Sequence, residues 1–145
     1  MRYLLDTNVL KELSRPKPHQ NVEVWFDTVD DNDLAISVIS VREISKGIEK
    51  KRQSDELTAN TLAKAADGIF SAFAGRILPV DETVARCWGR ALGQSDKHVD
   101  DAGLAATAEV HNLIMVTRNV SDFDGRGVAV LDPFKKSPRP VPPKT

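Results

Sequence analysis

Short, solidly apolar runs alternate with longer stretches of helical periodicity along this chain, and that alternation limits the fold more than any other feature. Residues 2–5, 34–38, 76–80, 113–117 and 128–131 read as strands with no polar face. A strand that is apolar on both sides must be covered on both sides, the condition of a parallel sheet between helical layers. The spacing between them predicts helices over 8–14, 22–29, 41–52, 55–74, 82–92 and 100–111. Val22, Trp25, Phe26 and Val29 share one helical face, as do Val41, Ile44 and Ile48. Prolines at 16 and 18 break the first helix, and the Asp-Asp-Asn-Asp stretch at 30–33 makes a turn. The predicted fold class is α/β: a three-layer α/β/α sandwich with a mostly parallel central sheet.

At 145 residues the chain holds one domain with a single core. A net charge of −1 gives no global signature of nucleic-acid binding, so any such binding has to be local. The lone Cys87 excludes an intramolecular disulfide and reads as a buried, inert thiol. No apolar run is long enough to span a bilayer, and Asp6 interrupts the N-terminus too early for a signal peptide. A cytoplasmic protein with no membrane association is expected. Residues 137–145 hold four prolines and no apolar periodicity, which predicts an extended or disordered tail. The expected organisation is a domain over 1–134 followed by a Pro-rich tail over 135–145.

Four acidic residues are the hardest to explain as surface decoration: Asp6, Glu43, Asp101 and Asp122. Asp6 ends the first apolar run, and Asp122 follows the run at 113–117 by a few residues. Glu43 and Asp101 are predicted in the first turns of helices with apolar faces. In a parallel α/β sheet the strand C-termini and the following helix N-termini meet at one edge, where ligands bind. Two carboxylates about 4 Å apart there repel by roughly 4 kcal/mol at an effective dielectric near 20. A divalent cation removes that cost, and hard Mg²⁺ or Mn²⁺ prefers oxygen ligands. The quartet therefore points to a metal-dependent phosphodiesterase.

Each acid also has an ordinary structural explanation. Asp6 precedes Thr7 and Asn8 and can cap the first helix. Ser40 to Glu43 fits the capping box, in which the glutamate bonds back to the N-cap amide. Asp101 suits the positive end of a helix dipole, and Asp122 an Asx-turn. These explanations work singly but give no reason for the acids to share one edge. Asp81 also follows a strand, and there capping is the preferred role. Asp100 competes with Asp101; side chains of adjacent helical residues point about 100° apart, and Ala105 and Ala108 continue the face of Asp101. Asp124 competes less with Asp122, because Gly125 suggests a turn.

These residues carry a resemblance. The stretches 4–10 (Leu-Leu-Asp-Thr-Asn-Val-Leu), 37–44 (Ser-Val-Ile-Ser-Val-Arg-Glu-Ile), 101–108 (Asp-Ala-Gly-Leu-Ala-Ala-Thr-Ala) and 116–123 (Val-Thr-Arg-Asn-Val-Ser-Asp-Phe) resemble the four motifs of PIN-domain proteins. The likeness is closer to the VapC toxins of type II toxin–antitoxin modules, including the FitB-like branch, which residues 77–81 and 131–134 also fit. It covers about residues 2–134 with the motifs in order. It implies a PIN-like sandwich, Mg²⁺- or Mn²⁺-dependent endoribonuclease activity, and Asp6, Glu43, Asp101 and Asp122 as the catalytic, metal-binding quartet. The family's polar residue before the last acid matches Thr117 or Asn119. Two departures stand out: Gly103 replaces a bulky apolar residue, which costs about 1 kcal/mol against alanine in a helix and removes packing near Asp101, and Asp100 replaces an apolar one.

On this reading Asp6 and Asp101 hold the principal metal. Glu43 and Asp122 are left to a water-mediated role, a second site, or orientation of the attacking water. His19, His98 and His111 are expected away from the site. Lys11, Arg15, Arg42, Lys46 and Arg118 flank the motifs and form a candidate RNA-binding rim; the ordinary alternative for each is a solvated face. The resemblance also implies a homodimer and a VapB-like antitoxin whose C-terminal segment blocks the pocket, with operator DNA bound only through that antitoxin. Two rival functions are a PIN-like binding module with impaired catalysis and a receiver-like Mg²⁺-binding phosphoacceptor. The second wants a lysine where the chain has Thr117 and Arg118.

Overall fold

The structure is a computed structural model that describes residues 1–144. Its elements run β1 (Tyr3–Leu5), α1 (Thr7–Leu13), α2 (Gln20–Thr28), β2 (Leu34–Ser37), α3 (Val38–Arg52), α4 (Glu56–Ala72), β3 (Ile77–Leu78), α5 (Glu82–Gln94), α6 (Val99–Val110), β4 (Ile114–Val116) and β5 (Val130–Leu131). Single 3-10 turns at Asp31–Asp33 and Val120–Phe123 precede β2 and follow β4. The strands form one sheet in the order β3-β2-β1-β4-β5, with every neighbour parallel. Tyr3 registers with Leu34 on one side and Ile114 on the other.

Strand pleating divides the core in two. Leu4, Ala35, Met115 and Val130 face α6 through Leu104, Ala105 and Ala108, with Trp88 of α5 packed alongside. Tyr3, Leu5, Ile36, Val116 and Leu131 face the other way, onto Val9 and Leu10 of α1 and Trp25 of α2. Ile69 and Phe70 of α4 complete that second layer. The predicted three-layer sandwich is therefore the observed fold. The strands are shorter than their apolar runs, because the flanking residues turn into helices or loops after two to four ladder positions.

One predicted helix start needs correction, and the tail, extended as one of its two expected states, makes a contact that its composition did not suggest. The helix expected from residue 41 starts at Val38, because the Ser37 hydroxyl accepts from the Ile39 amide at 3.0 Å and caps it. Ser40 is then inside the helix, Glu43 lies in its second turn, and the capping box does not form. The Pro-rich tail is extended but docked: Val141 pairs antiparallel with Val130, with amide-to-carbonyl distances of 2.7 and 2.9 Å. Thr145, the end of that predicted tail, lies outside the described residues. Among the described residues no helix is long and apolar enough to cross a membrane.

The sheet order sets the place of the site. From β1 the chain moves outward through β2 to β3, then returns to the other side of β1 as β4. The connections leaving β1 and β4 diverge, which opens a crevice at their C-terminal ends.

Candidate active site

Asp6 is the first residue after β1 and is 7% exposed at the mouth of that crevice. Its amide donates to the Val116 carbonyl of β4 at 2.8 Å, which ties it to the switch point. The Thr7 amide donates to Oδ1 at 2.7 Å. The Thr117 hydroxyl donates to Oδ2 at 2.8 Å, and Asn8 Nδ2 reaches the same oxygen at 3.3 Å. Asp6 therefore caps α1, as its ordinary explanation requires, and also sits at the centre of a buried polar cluster. Ser40 Oγ lies 2.8 Å from Thr7 Oγ1, so α3 is pinned to α1 beneath the site.

Thr117 is fully buried and bonded to Asp6, whereas Asn119 acts through its backbone, its amide donating to Thr117 Oγ1 at 3.0 Å. Of the two candidates for the polar position before the last acid, Thr117 touches the quartet. Sequence reasoning passed over Thr7 and Ser40 as supports. Thr7 was visible as the neighbour of Asp6; Ser40 was hidden because its spacing to Glu43 imitated a cap.

The remaining acids feel one another. Burial raises the Asp6 carboxyl above its ordinary range, and the charges of Asp101 and Asp122 push it further; the Thr117 and Thr7 hydrogen bonds oppose this. Glu43 is raised by burial, then by Asp100 and Asp6. Asp101 is raised by burial and by Asp122, against the positive charges of Arg126 and His98. Asp6 thus feels Asp101 and Asp122, Glu43 feels Asp6, and Asp101 feels Asp122. Asp122 is exposed on the Val120–Phe123 turn, whose Phe123 is buried. The Asp124 amide there bonds the Ser121 carbonyl at 3.2 Å instead of the Asp122 side chain, so the expected Asx-turn is not made.

Several neighbours sit differently from expectation. Asp100 pairs with Arg42 and also acts on Glu43, so it borders the site beside Asp101. Asp124 pairs with Lys144 at 3.3 Å, and Asp81 caps α5 through the Val84 amide at 2.9 Å, as predicted. His98 is not remote: it takes a left-handed conformation at φ 53° just before α6, and its charge reaches Asp101. His19 caps α2. Gly103 leaves no hole, because a Cβ there would fall 2.6 Å from Ile39 Cδ1 and 2.7 Å from the Trp88 ring. The indole fills the space and donates to the Val99 carbonyl at 2.9 Å, bracing the first turn of the helix that carries Asp101.

The predicted basic rim is partly committed elsewhere. Arg15 pairs with Glu12 at 3.2 Å, Arg42 with Asp100, and Arg118 lies 4.5 Å over the Phe134 ring. Lys46 is exposed on α3, and Lys11 borders an apolar groove between α1, α3 and α4.

The donor set suits a hard divalent ion: carboxylates and hydroxyls, the oxygen ligands that such an ion prefers. Among the described residues no three His, Cys, Asp or Glu side chains are already drawn together tightly enough to hold one.

A doubly wound α/β domain with an acidic crevice at its switch point is the class that fold and site define. The PIN domain family matches residues 3–124, and the chain belongs to that family. It is 35% identical over 137 residues to the toxin FitB of Neisseria gonorrhoeae, covering 90% of this chain and 97% of that one. It is 29% identical to the VapC ribonuclease Y4jK of Sinorhizobium fredii, covering 91% and 97%. Among solved structures, FitAcB from Neisseria gonorrhoeae superposes with a TM-score of 0.79 at 35% identity, covering 91% and 98%. FitAB bound to an IR36 DNA fragment gives 0.78 at 33%, covering 92% and 96%. Membership of this family displaces the receiver-like alternative.

Proposed function

We propose that this chain is a metal-dependent endoribonuclease and the toxin of a type II toxin–antitoxin pair. One observation carries the reading: Asp6, Glu43 and Asp101 are partly or wholly buried at one sheet edge, with carboxyls held above their ordinary range by burial and by neighbouring acids. A fold tolerates such charge where a cation is to be bound. Relatives named as a toxin and as a ribonuclease support the same conclusion.

Asp6 and Asp101 would hold Mg²⁺ or Mn²⁺, with Glu43 and Asp122 completing the set directly or through water. The ion would supply hydroxide near neutral pH and neutralise the phosphate. The protein's own part is orientation. Thr117, Asn8 and the Thr7 amide fix both oxygens of Asp6, and Trp88 steadies the first turn bearing Asp101. Cleavage of RNA by the purified chain with Mg²⁺ or Mn²⁺, and its loss in excess EDTA, is the test. Full activity in EDTA would remove the metal from the mechanism.

The antitoxin has a place to lie. The groove between α1, α3 and α4 holds about 580 Å³ and is lined by Leu10, Ile44, Ile48, Leu62, Ala66 and Ile69. Asn8 lines it too and bonds Asp6, so the groove leads to the acids. An apolar C-terminal segment laid there would carry an Arg or Lys to Asp6, Glu43 and Asp101, and an arginine fork suits a carboxylate best. Leu10 and Ile48 line the groove, whereas Leu13 packs toward the core. A homodimer, with DNA bound through paired antitoxins, completes the proposal.

A further inference from the structure

A second groove, of about 540 Å³, opens between α5, α6 and the loop that follows the Val120–Phe123 turn. Arg90 and Gln94 of α5, Ala102 of α6 and Arg126 of the loop are in its lining. Ala102 follows Asp101 in α6, and Asp124 in the lining lies two residues after Asp122, so the groove borders the helix start and the turn that carry those acids. Arg126 joins the two from the other side: its Nε donates to the Asp122 carbonyl at 2.8 Å, and its charge acts on Asp101. That bond uses one donor of the guanidinium and leaves the others for a phosphate. Gly125 and Gly127, at φ 73° and 75°, bracket Arg126 and let the loop turn on both sides of it.

Arg90 and Arg126 share the groove with Asp124 and Glu109, so an anion would be met locally, at the arginines. Asp124 is paired with Lys144 at 3.3 Å, and Glu109 accepts from the Cys87 thiol at 3.4 Å. Neither Arg90 nor Arg126 forms an ion pair among the described residues. An acidic crevice repels a polyanion, so a strand needs fixed cations where it enters. Of the cations expected around the motifs, Arg15 and Arg42 are ion-paired and Arg118 stacks on Phe134, whereas Lys11 and Lys46 form no ion pair among the described residues and remain as additional contacts.

We propose that Arg126 binds an RNA phosphate beside the scissile bond and that the strand continues into the α5–α6 groove past Arg90. This deepens the nuclease reading and rests on it. A merely structural Arg126 would hold the turn through the Asp122 carbonyl and touch no substrate.

Two measurements separate these possibilities. The first is binding of a fluorescein-labelled single-stranded RNA to the full chain in EDTA, followed by anisotropy against salt. The second is Mg²⁺-dependent cleavage of the same RNA. Arg126→Ala should weaken binding about tenfold and flatten the log–log salt slope by about 0.7, the share of one phosphate contact on a single strand. It should raise KM more than it lowers kcat. Arg126→Lys should recover part of the binding, and Arg90→Ala should weaken it less than Arg126→Ala. Melting temperatures of the variants should match the parent. Unchanged affinity and salt slope in Arg126→Ala would overturn the proposal, as would a fall in kcat and melting temperature at constant KM. A parent chain that binds RNA through Arg126 but cleaves nothing would instead overturn the nuclease reading and leave the groove standing.

Discussion

Single side chains at the crevice have separable duties. Thr117 spends its hydroxyl on Asp6, and loss of such a supporting bond at a metal site typically costs 10–100-fold in affinity or activity. Thr117→Val should fall by about that much while Thr117→Ser stays near the parent, as read by Mn²⁺ titration and RNA cleavage. Asp101→Asn should abolish turnover; Asp100→Asn, which removes the partner of Arg42, should keep a substantial fraction. The reverse order would reassign the third acid. The raised carboxyl of Asp101 also fixes a pH dependence. Its folded pKa exceeds the unfolded value, so its contribution to stability is full below the ordinary carboxylate range and is lost as pH rises through the raised value. In EDTA, Asp101→Asn should therefore melt higher than the parent at neutral pH, and the gap should close toward about pH 4. A gap that widens on acidification would contradict the assigned cause. The places of Asp6 and Asp101 in the fold were legible because one ends an apolar run and the other lies in the first turn of a helix, whereas Glu43 falls a turn later in its helix than its spacing from Ser40 suggested. Arg126 and His98 were not legible, because their influence depends on how a loop and a helix start lie in space.

At the level of elements, the helix carrying Glu43 shows where local pattern misleads. Ser-x-x-Glu is a sound capping signal, yet Ser37 lies three residues earlier and is itself a good cap. Burial of Ile39 against Leu104 and the sheet decided between them, since starting at Ser37 turns Ile39 into the core. Ser37→Ala should destabilise the chain by about 1 kcal/mol in denaturant unfolding. Glu43→Gln should change stability little and depress cleavage steeply; a destabilised but active variant would restore a structural role for Glu43. Gly103 is similar. Its sequence suggests a packing defect, but the Trp88 ring occupies the space. Gly103→Leu, which supplies an apolar side chain where the family carries one, should cost about 1–3 kcal/mol by overpacking. The strand and helix order was readable because buried parallel strands leave solid apolar runs. Strand ends were not, because the last apolar residue of a run can start a helix as easily as extend a ladder: Val38 continues the run at 34–38 yet opens α3.

For the molecule as a whole, the sheet order places β1 and β4 at the centre and β5 near one edge, where Val141 closes it. Prolines at 140 and 142 flank that bridge and cannot extend the ladder, so the tail blocks an edge that would otherwise recruit other strands. A chain ending at residue 136 should melt lower and aggregate sooner while keeping cleavage, if the domain over 1–134 is self-sufficient. Composition offered no hint of this, since a Pro-rich tail reads the same whether docked or free. The central claim is that burial and mutual repulsion in the quartet exist to bind a cation. Calorimetric titration of Mn²⁺ into the chain and into Asp6→Asn tests it most directly. The account predicts saturable binding to the parent that weakens as pH falls, with Asp6→Asn weakened at least tenfold. Equal binding by both chains, or none by the parent at neutral pH, would contradict it.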